Sequence, residues 1–221
     1  MDFCVIPAYN EEKTIKEVVT RIKKQGLIPI VVDDGSKDKT YEIAKKYAIV
    51  IRHEKNKGKG YALKTGISYA LKKRAKRILL IDADLQHLPE EAHRLLNALN
   101  YADFVMGFRN FANVPFRHKL GNFVWRKTFN LFFGTKLKDS NNGYIAMSRK
   151  AAKIILPYLT GGYIIEIRML IACLKNNLKI TQVPVTVLYN RKKSKILRGI
   201  KIVFSVLAYI IREGLNYRIF K

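Results

Sequence analysis

The chain is short of acid. Asp and Glu together number 17 against 42 Lys and Arg in 221 residues, a formal charge of +25 at pH 7. A field of that size favours nucleic acid, anionic lipid or phosphorylated substrates as partners. Cysteine is scarce as well. Cys4 and Cys173 are the only two, each inside an apolar run. That excludes a disulfide framework and reads as buried thiols in a reducing compartment. The four histidines are scattered, so no zinc-ligand spacing exists. No apolar run approaches the roughly 20 residues that span a bilayer, and Phe3-Cys4-Val5-Ile6 at the start reads as a strand, not as a signal peptide. Neither phosphate-loop signature is present: there is no G-x-x-x-x-G-K-[ST], and Leu63 stands where a third glycine would complete G-x-G-x-x-G from Gly58.

Strand and helix patterns alternate in the first half. Strands are expected at 3–7, 28–32, 48–51, 77–81 and 104–106. Helices are expected at 11–25, in the thirties to forties behind Ser36 or Asp38 as cap, at 59–74, and at 89–99 with Pro89 in the first turn. This order implies βαβ units and a mostly parallel sheet, whose ligands bind beyond the carboxyl ends of the strands. Three acid-bearing turns fall at those ends: Glu11-Glu12 after strand one, Asp33-Asp34 after strand two, Asp82 and Asp84 after strand four. Carboxylates joined by the Gln86 amide suit a hard cation such as Mg²⁺ or Mn²⁺, which shares its remaining positions with substrate phosphates. Lys57-Gly58-Lys59-Gly60 opens a helix after a strand and offers backbone N–H groups and lysines to a phosphate; a plain loop is the other reading.

Taken together, Ile6-Pro7-Ala8-Tyr9-Asn10-Glu11-Glu12, Val31-Val32-Asp33-Asp34-Gly35-Ser36, Asn56-Lys57-Gly58-Lys59-Gly60 and Asp82-Ala83-Asp84-Leu85-Gln86-His87 resemble the family 2 glycosyltransferases over residues 3 to about 196. The Asp-Ala-Asp-Leu-Gln form looks like the dolichyl-phosphate mannose synthase branch. The resemblance implies a GT-A fold, Rossmann-like, α/β, with a mostly parallel sheet flanked by helices. It implies an inverting transfer of a hexose from a nucleotide diphosphate sugar (GDP-mannose, UDP-glucose or UDP-GlcNAc) to dolichyl or polyprenyl phosphate. Site residues follow from it. Pro7, Tyr9, Glu11, Asp34, Lys59, Asp82, Ala83, Asp84, Arg191 and Lys195 bind the nucleotide sugar. Asp82, Asp84 and Gln86 hold the metal, Mg²⁺ or Mn²⁺. Asp84, Asp82 and Arg109 are catalytic, and Arg109, Arg117 and Lys119 take the acceptor phosphate. Asp139 to Tyr144 matches an Asp-x-x-x-Gly-aromatic segment, and Glu166 a late glutamate. Ile145 stands where the family carries arginine, and the Arg191–Lys195 gap is short, which leaves the sugar open.

Residues 1–196 are expected to form the catalytic domain. Within it, 108–138 reads as a basic, aromatic, membrane-facing segment: between Asp103 and Asp139 there is no acid, but seven Lys/Arg and nine Phe/Trp. Lys119, Asn122, Arg126 and Asn130 make one polar stripe on an otherwise apolar helix, the pattern of the lipid headgroup boundary. Residues 197–221 are expected to form a basic hydrophobic helix, either on the membrane or packed on the domain. The expected location is the cytoplasmic face of the cell membrane, peripheral or monotopic. Two other readings stay open: transfer to a polysaccharide or soluble acceptor, and a basic nucleic-acid-binding protein without activity. The acidic turns oppose the second, because they would repel a nucleic-acid backbone at the sheet edge.

Overall fold

The structure is a computed structural model and describes residues 1–109, 116–161, 164–188 and 196–219; in the helices 116–133 and 196–219 side chains are described from 122 and 203 onward. Seven strands form one sheet in the order β3-β2-β1-β4-β6-β5-β7. β1 (Asp2–Ala8), β2 (Ile28–Asp33), β3 (Ile49–Arg52) and β4 (Arg77–Leu80) are parallel, joined through α1 (Ile15–Lys24), α2 (Thr40–Ala44) and α3 (Lys59–Lys72). β5 (Phe104–Arg109) follows α4 (Ala92–Ala98) and pairs in parallel with β7 (Ile180–Val185). Between β4 and β5 lies β6 (Ile145–Ser148), antiparallel to both. The remaining helices are α5 (Phe116–Phe133), α6 (Arg149–Ile155), α7 (Ile165–Lys175) and α8 (Ile196–Ile219).

The mostly parallel sheet is the one the βαβ pattern implies. Buried on both faces, its strands carry two cores. Phe3, Val5, Ile30, Val32, Ile78 and Leu80 point towards α3, α5 and α6. Cys4, Ile6, Val31, Leu79 and Val105 point towards α1 and α4. Such double burial produces the unbroken apolar runs by which the strands were placed.

Four details differ from expectation. α1 begins at Ile15 and not at residue 11, because Glu11 to Thr14 form a turn in which Glu11 O accepts from Thr14 N and Ile15 N. α2 is only five residues long and stops at Ala44. Asp38 and not Ser36 serves its start, accepting from Thr40 N at 2.9 Å. The Pro89 segment begins as a 3-10 turn (Pro89–Glu91) before α4. β5 runs three residues further than its apolar stretch, because Gly107, Phe108 and Arg109 continue pairing with β7. That extension makes Arg109 the last residue of the β5–β7 ladder, opposite Val185.

α3 approaches the sheet closely through Gly66. A Cβ there would fall inside contact distance of Val5 Cγ1 and 3.1 Å from Val32 Cγ2. Both valines are buried and stiff at χ1. Gly66→Ala gains up to about 1 kcal/mol of helix propensity but overpacks this contact at a cost of about 1–3 kcal/mol. Net destabilisation in urea unfolding is the expected outcome.

Candidate active site

At the carboxyl ends of β1, β2 and β4 the loops enclose a cavity of about 600 Å³. Ten residues singled out from the sequence line it: Pro7, Tyr9, Glu11, Asp34, Lys59, Asp82, Ala83, Asp84, Gln86 and Arg109. The three acidic turns therefore meet in one place. Arg191 and Lys195 lie outside the described residues. So do the side chains of Arg117 and Lys119, whose backbone belongs to α5.

The first two turns are laced together. Asn10 N donates to Ser36 Oγ (2.9 Å), Glu11 N to Thr40 Oγ1 (2.8 Å), and Lys37 N back to Asn10 Oδ1 (2.8 Å). Asn10 accepts a positive φ of 57° to make this turn, a conformation asparagine tolerates. Asp33 is fully buried, paired with Arg52 at 3.0 Å and accepting from Ser36 N at 3.1 Å. Thus Ser36, read as a helix cap, joins loop to loop, and Asp38 does both, its Oδ2 accepting from Glu12 N at 3.2 Å.

Asp34 is 2 % exposed. Its Oδ1 meets His53 Nδ1 at 2.7 Å and accepts from Lys57 N at 3.0 Å, while Oδ2 accepts from Gly58 N at 2.8 Å. Gly60 N donates to Gly161 O at 2.9 Å. These contacts correct the phosphate-cradle reading of Lys57–Gly60. The N–H groups of 57, 58 and 60 already have protein partners, and a donor engaged in this way gains little from a new acceptor. What the segment sends into the cavity is the Lys59 side chain.

Lys59 Nζ lies 2.7 Å from Asp82 Oδ1, 3.1 Å from Asp82 Oδ2 and 3.0 Å from Glu166 Oε1. Burial pulls the Lys59 pKa down, yet the two carboxylates outweigh it and hold the pKa above its ordinary value. For Asp82 burial acts upward and Lys59 downward, and the balance leaves its pKa lowered. Gly143 closes over this trio: a Cβ on it would stand 2.7 Å from Asp82 Oδ2 and 2.9 Å from Lys59 Nζ.

Asp84 Oδ1 accepts from Gln86 N at 3.1 Å across Leu85, which sits at φ 60°. This turn presents Asp84 and Gln86 side by side. Among the described residues no cluster of three or more His, Cys, Asp and Glu forms a cage. Two carboxylates and one amide on a shared cavity are instead a donor set for a hard cation that takes its other oxygens from substrate. The residues present fit such a cation.

Arg109 reaches the cavity in a fixed pose. Its Nε and Nη2 pair with Asp139 Oδ2 and Oδ1 at 2.7 and 3.0 Å, and Nη2 also donates to Asn141 O at 2.8 Å. Asp139 is fully buried and takes a further bond from Asn122 Nδ2 at 2.9 Å. Burial acts to raise the Asp139 pKa; Arg109, Asn122 and the Asn141 N–H hold it below the usual carboxylate value. The polar stripe of α5, expected at the lipid headgroup boundary, faces the protein in its described part. Asn122 turns inward to Asp139, and Asn130 holds Leu137 N and Thr135 Oγ1. The described part of the stripe grips the 135–139 segment.

Two cavity residues were missed as contributors. His87 is 7 % exposed and lies against the Tyr144 ring at 5.1 Å. Burial pushes its pKa down to about 4, with Asp82 opposing, so it is neutral at pH 7. Asn142 fixes Tyr144 N at 2.9 Å. Both lie inside stretches the sequence marked, His87 at the end of Asp82–His87 and Asn142 within Asp139–Tyr144, but neither carried an assigned role. Ile145 is core: it is 1 % exposed in β6, opposite Leu80 and Met106.

Asp139→Asn leaves Arg109 without its buried counter-charge and costs about 3 kcal/mol at pH 7. The folded pKa of Asp139 is depressed. Its contribution is therefore present above the unfolded value of about 3.9 and is lost as pH falls through the folded one. Urea unfolding should show the wild-type advantage over the variant full near pH 7 and shrinking below pH ~4.

Comparison with known proteins accords with this geometry. A UDP-N-acetylglucosamine–dolichyl-phosphate N-acetylglucosaminyltransferase of Methanococcus voltae is 32% identical over 236 residues, covering 93% of this chain and 94% of that one. A dolichol-phosphate mannosyltransferase of Pyrococcus furiosus is 30% identical, covering 94% of this chain and 62% of its own. The fold matches glucosyl-3-phosphoglycerate synthase of Mycobacterium tuberculosis with a TM-score of 0.78 at 24% identity, over 97% of this chain and 78% of that one. The pattern described as glycosyl transferase family 2 matches residues 3–156, and the chain belongs to that family.

Proposed function

We propose that the protein transfers a hexose from a nucleotide diphosphate sugar to a polyprenyl or dolichyl phosphate, with inversion, at the cytoplasmic face of a membrane. The observation that carries this reading is the convergence of Glu11, Asp34, Asp82, Asp84 and Gln86 with Lys59 and Arg109 on one cavity. Acids alone would repel a diphosphate, so they call for a cation between them and it. Relatives named for dolichyl-phosphate transfer cover nearly the whole chain. The fold neighbour was crystallised with Mn²⁺ and UDP.

In this reading Asp82, Asp84 and Gln86 hold Mg²⁺ or Mn²⁺, which supplies a Lewis acid offsetting charge on the leaving diphosphate. Pro7, Tyr9, Glu11, Asp34 and Ala83 bound the space for base, ribose and sugar. Lys59 contributes a second positive charge beside the diphosphate. The acceptor phosphate is anionic at neutral pH and needs orientation more than proton removal. Arg109, rigid on Asp139, provides one anchor for it; Arg117, Lys119, Arg191 and Lys195 are assigned to phosphates on the strength of the family resemblance.

The membrane side rests on α5 and α8. Tyrosines, Met1 and Leu188 apart, every large exposed apolar side chain among the described residues lies on these two helices: Phe123, Leu131, Phe204, Ile211, Leu215 and Ile219. On α8 the buried face, Val206, Ile210 and Gly214, packs towards α5, with Trp125 Nε1 donating to Val203 O at 3.2 Å. The opposite stripe bears Phe204, Ala208, Ile211, Leu215 and Ile219. Packing and outward apolarity thus coexist on one helix. No described helix is long and apolar enough to cross a membrane. An outward apolar stripe beside Lys127, Arg212 and Arg218 suits an anionic headgroup layer.

The test is incubation of purified protein with Mg²⁺ or Mn²⁺, a polyprenyl phosphate and a panel of UDP- and GDP-sugars, headed by UDP-GlcNAc. A lipid-linked sugar is expected from one donor, and Asp84→Ala should lower its rate by about 10²–10³-fold, the scale of losing one key charge-stabilising group. Absence of lipid-linked product from every donor overturns the proposal; product on phosphoglycerate alone would assign a soluble acceptor. Separately, co-flotation with anionic vesicles should weaken with added salt and drop about tenfold or more in the double variant Phe204→Glu, Leu215→Glu.

A further inference from the structure

The geometry points to Lys59 as an internal cation that competes with the divalent metal for Asp82 and yields it when a nucleotide diphosphate arrives. This rests on the reading of the cavity as a metal–diphosphate site. Three observations carry it. Lys59 Nζ lies within 3.1 Å of both Asp82 oxygens, the carboxylate assigned to the metal. The ammonium has a second counter-charge on its other side, Glu166 Oε1 at 3.0 Å, and Glu166 is 6 % exposed. The residue above the pair is Gly143, whose missing Cβ leaves open the space 2.9 Å from Nζ and 2.7 Å from Asp82 Oδ2.

A divalent ion and an ammonium cannot share one carboxylate at these distances without strong like-charge repulsion. Glu166 lets the ammonium let go of Asp82 without leaving the cavity or losing its counter-charge. A diphosphate then offers Lys59 new oxygens and neutralises both cations together. Metal and nucleotide therefore bind with positive coupling, each raising the affinity of the other by the same factor. Glu166 is here a positioning residue: it acts through Lys59 and touches no reacting atom.

The experiment titrates Mn²⁺, followed by the EPR signal of the free ion, into wild type, Lys59→Met and Lys59→Arg, each with and without UDP. Wild type should bind Mn²⁺ weakly alone and about 5–150-fold more tightly with UDP, the ordinary range of coupling. Lys59→Met should bind Mn²⁺ alone more tightly than wild type by a similar factor and lose most of the UDP effect. Lys59→Arg, which keeps the charge, should stay weak without UDP. Mn²⁺-induced elevation of the melting temperature, larger in Lys59→Met than in wild type, checks that the folded protein is the species responding. The inference is overturned if Lys59→Met binds Mn²⁺ without UDP no better than wild type, or if Lys59→Arg tightens equally. Asp84→Ala separates the two layers: Mn²⁺ binding with UDP that ignores this change sinks the functional reading, whereas the Lys59→Met to wild-type ratio reports on the exchange.

Discussion

The carboxylate of Asp34 is the contact on which the cavity depends. It sits just past β2, almost wholly buried, and binds His53 beyond β3 together with the Lys57 and Gly58 amides that lead into α3. One side chain thus joins the ends of two strands to the start of a helix. With the Gly60 N to Gly161 O bond, that join holds the first turn of α3 in place and fixes the route of Lys59 to Asp82. The buried charge is tolerable because every bond it makes is to a donor held by the fold itself.

A second anchor of the same kind sits across the cavity. Asp139 fixes Arg109 and ties α5 to the strand that carries it. The two anchors divide the labour. Asp34 helps set where Lys59 enters the cavity; Asp139 sets how far Arg109 reaches into it. Between them lies the cavity on which Glu11, Asp82, Asp84 and Glu166 converge.

Much of this was legible beforehand, for a physical reason. Strands buried on both faces must be apolar throughout, so β1, β2 and β4 announced themselves, and the acids following them marked the sheet's carboxyl edge. β6 was not legible: Ile-Ala-Met-Ser is four residues long, runs straight into α6, and reverses direction between β4 and β5. Nor was the Lys59–Glu166 contact, whose partners are 107 positions apart. Asp34 showed as a site residue but not as an internal anchor, since its amide partners meet it only after α3 docks. The stripe on α5 was visible as a period, yet nothing in a period says which way it faces; that followed from Asp139 needing Asn122.

The antiparallel course of β6 has an evolutionary corollary. The segment from Asp139 to Tyr144 is held at one end by the Arg109 pair and at the other by the register Leu80↔Ile145. A strand shifted by one residue exchanges its two faces, which would turn Tyr144 and Ile145 each into the wrong core. Side chains along this bridge are tied down as well: Asn142 Oδ1 accepts from Tyr144 N, and a Cβ on Gly143 would crowd Asp82 and Lys59. An inserted residue would have to break the Arg109 pair or the β4–β6 register.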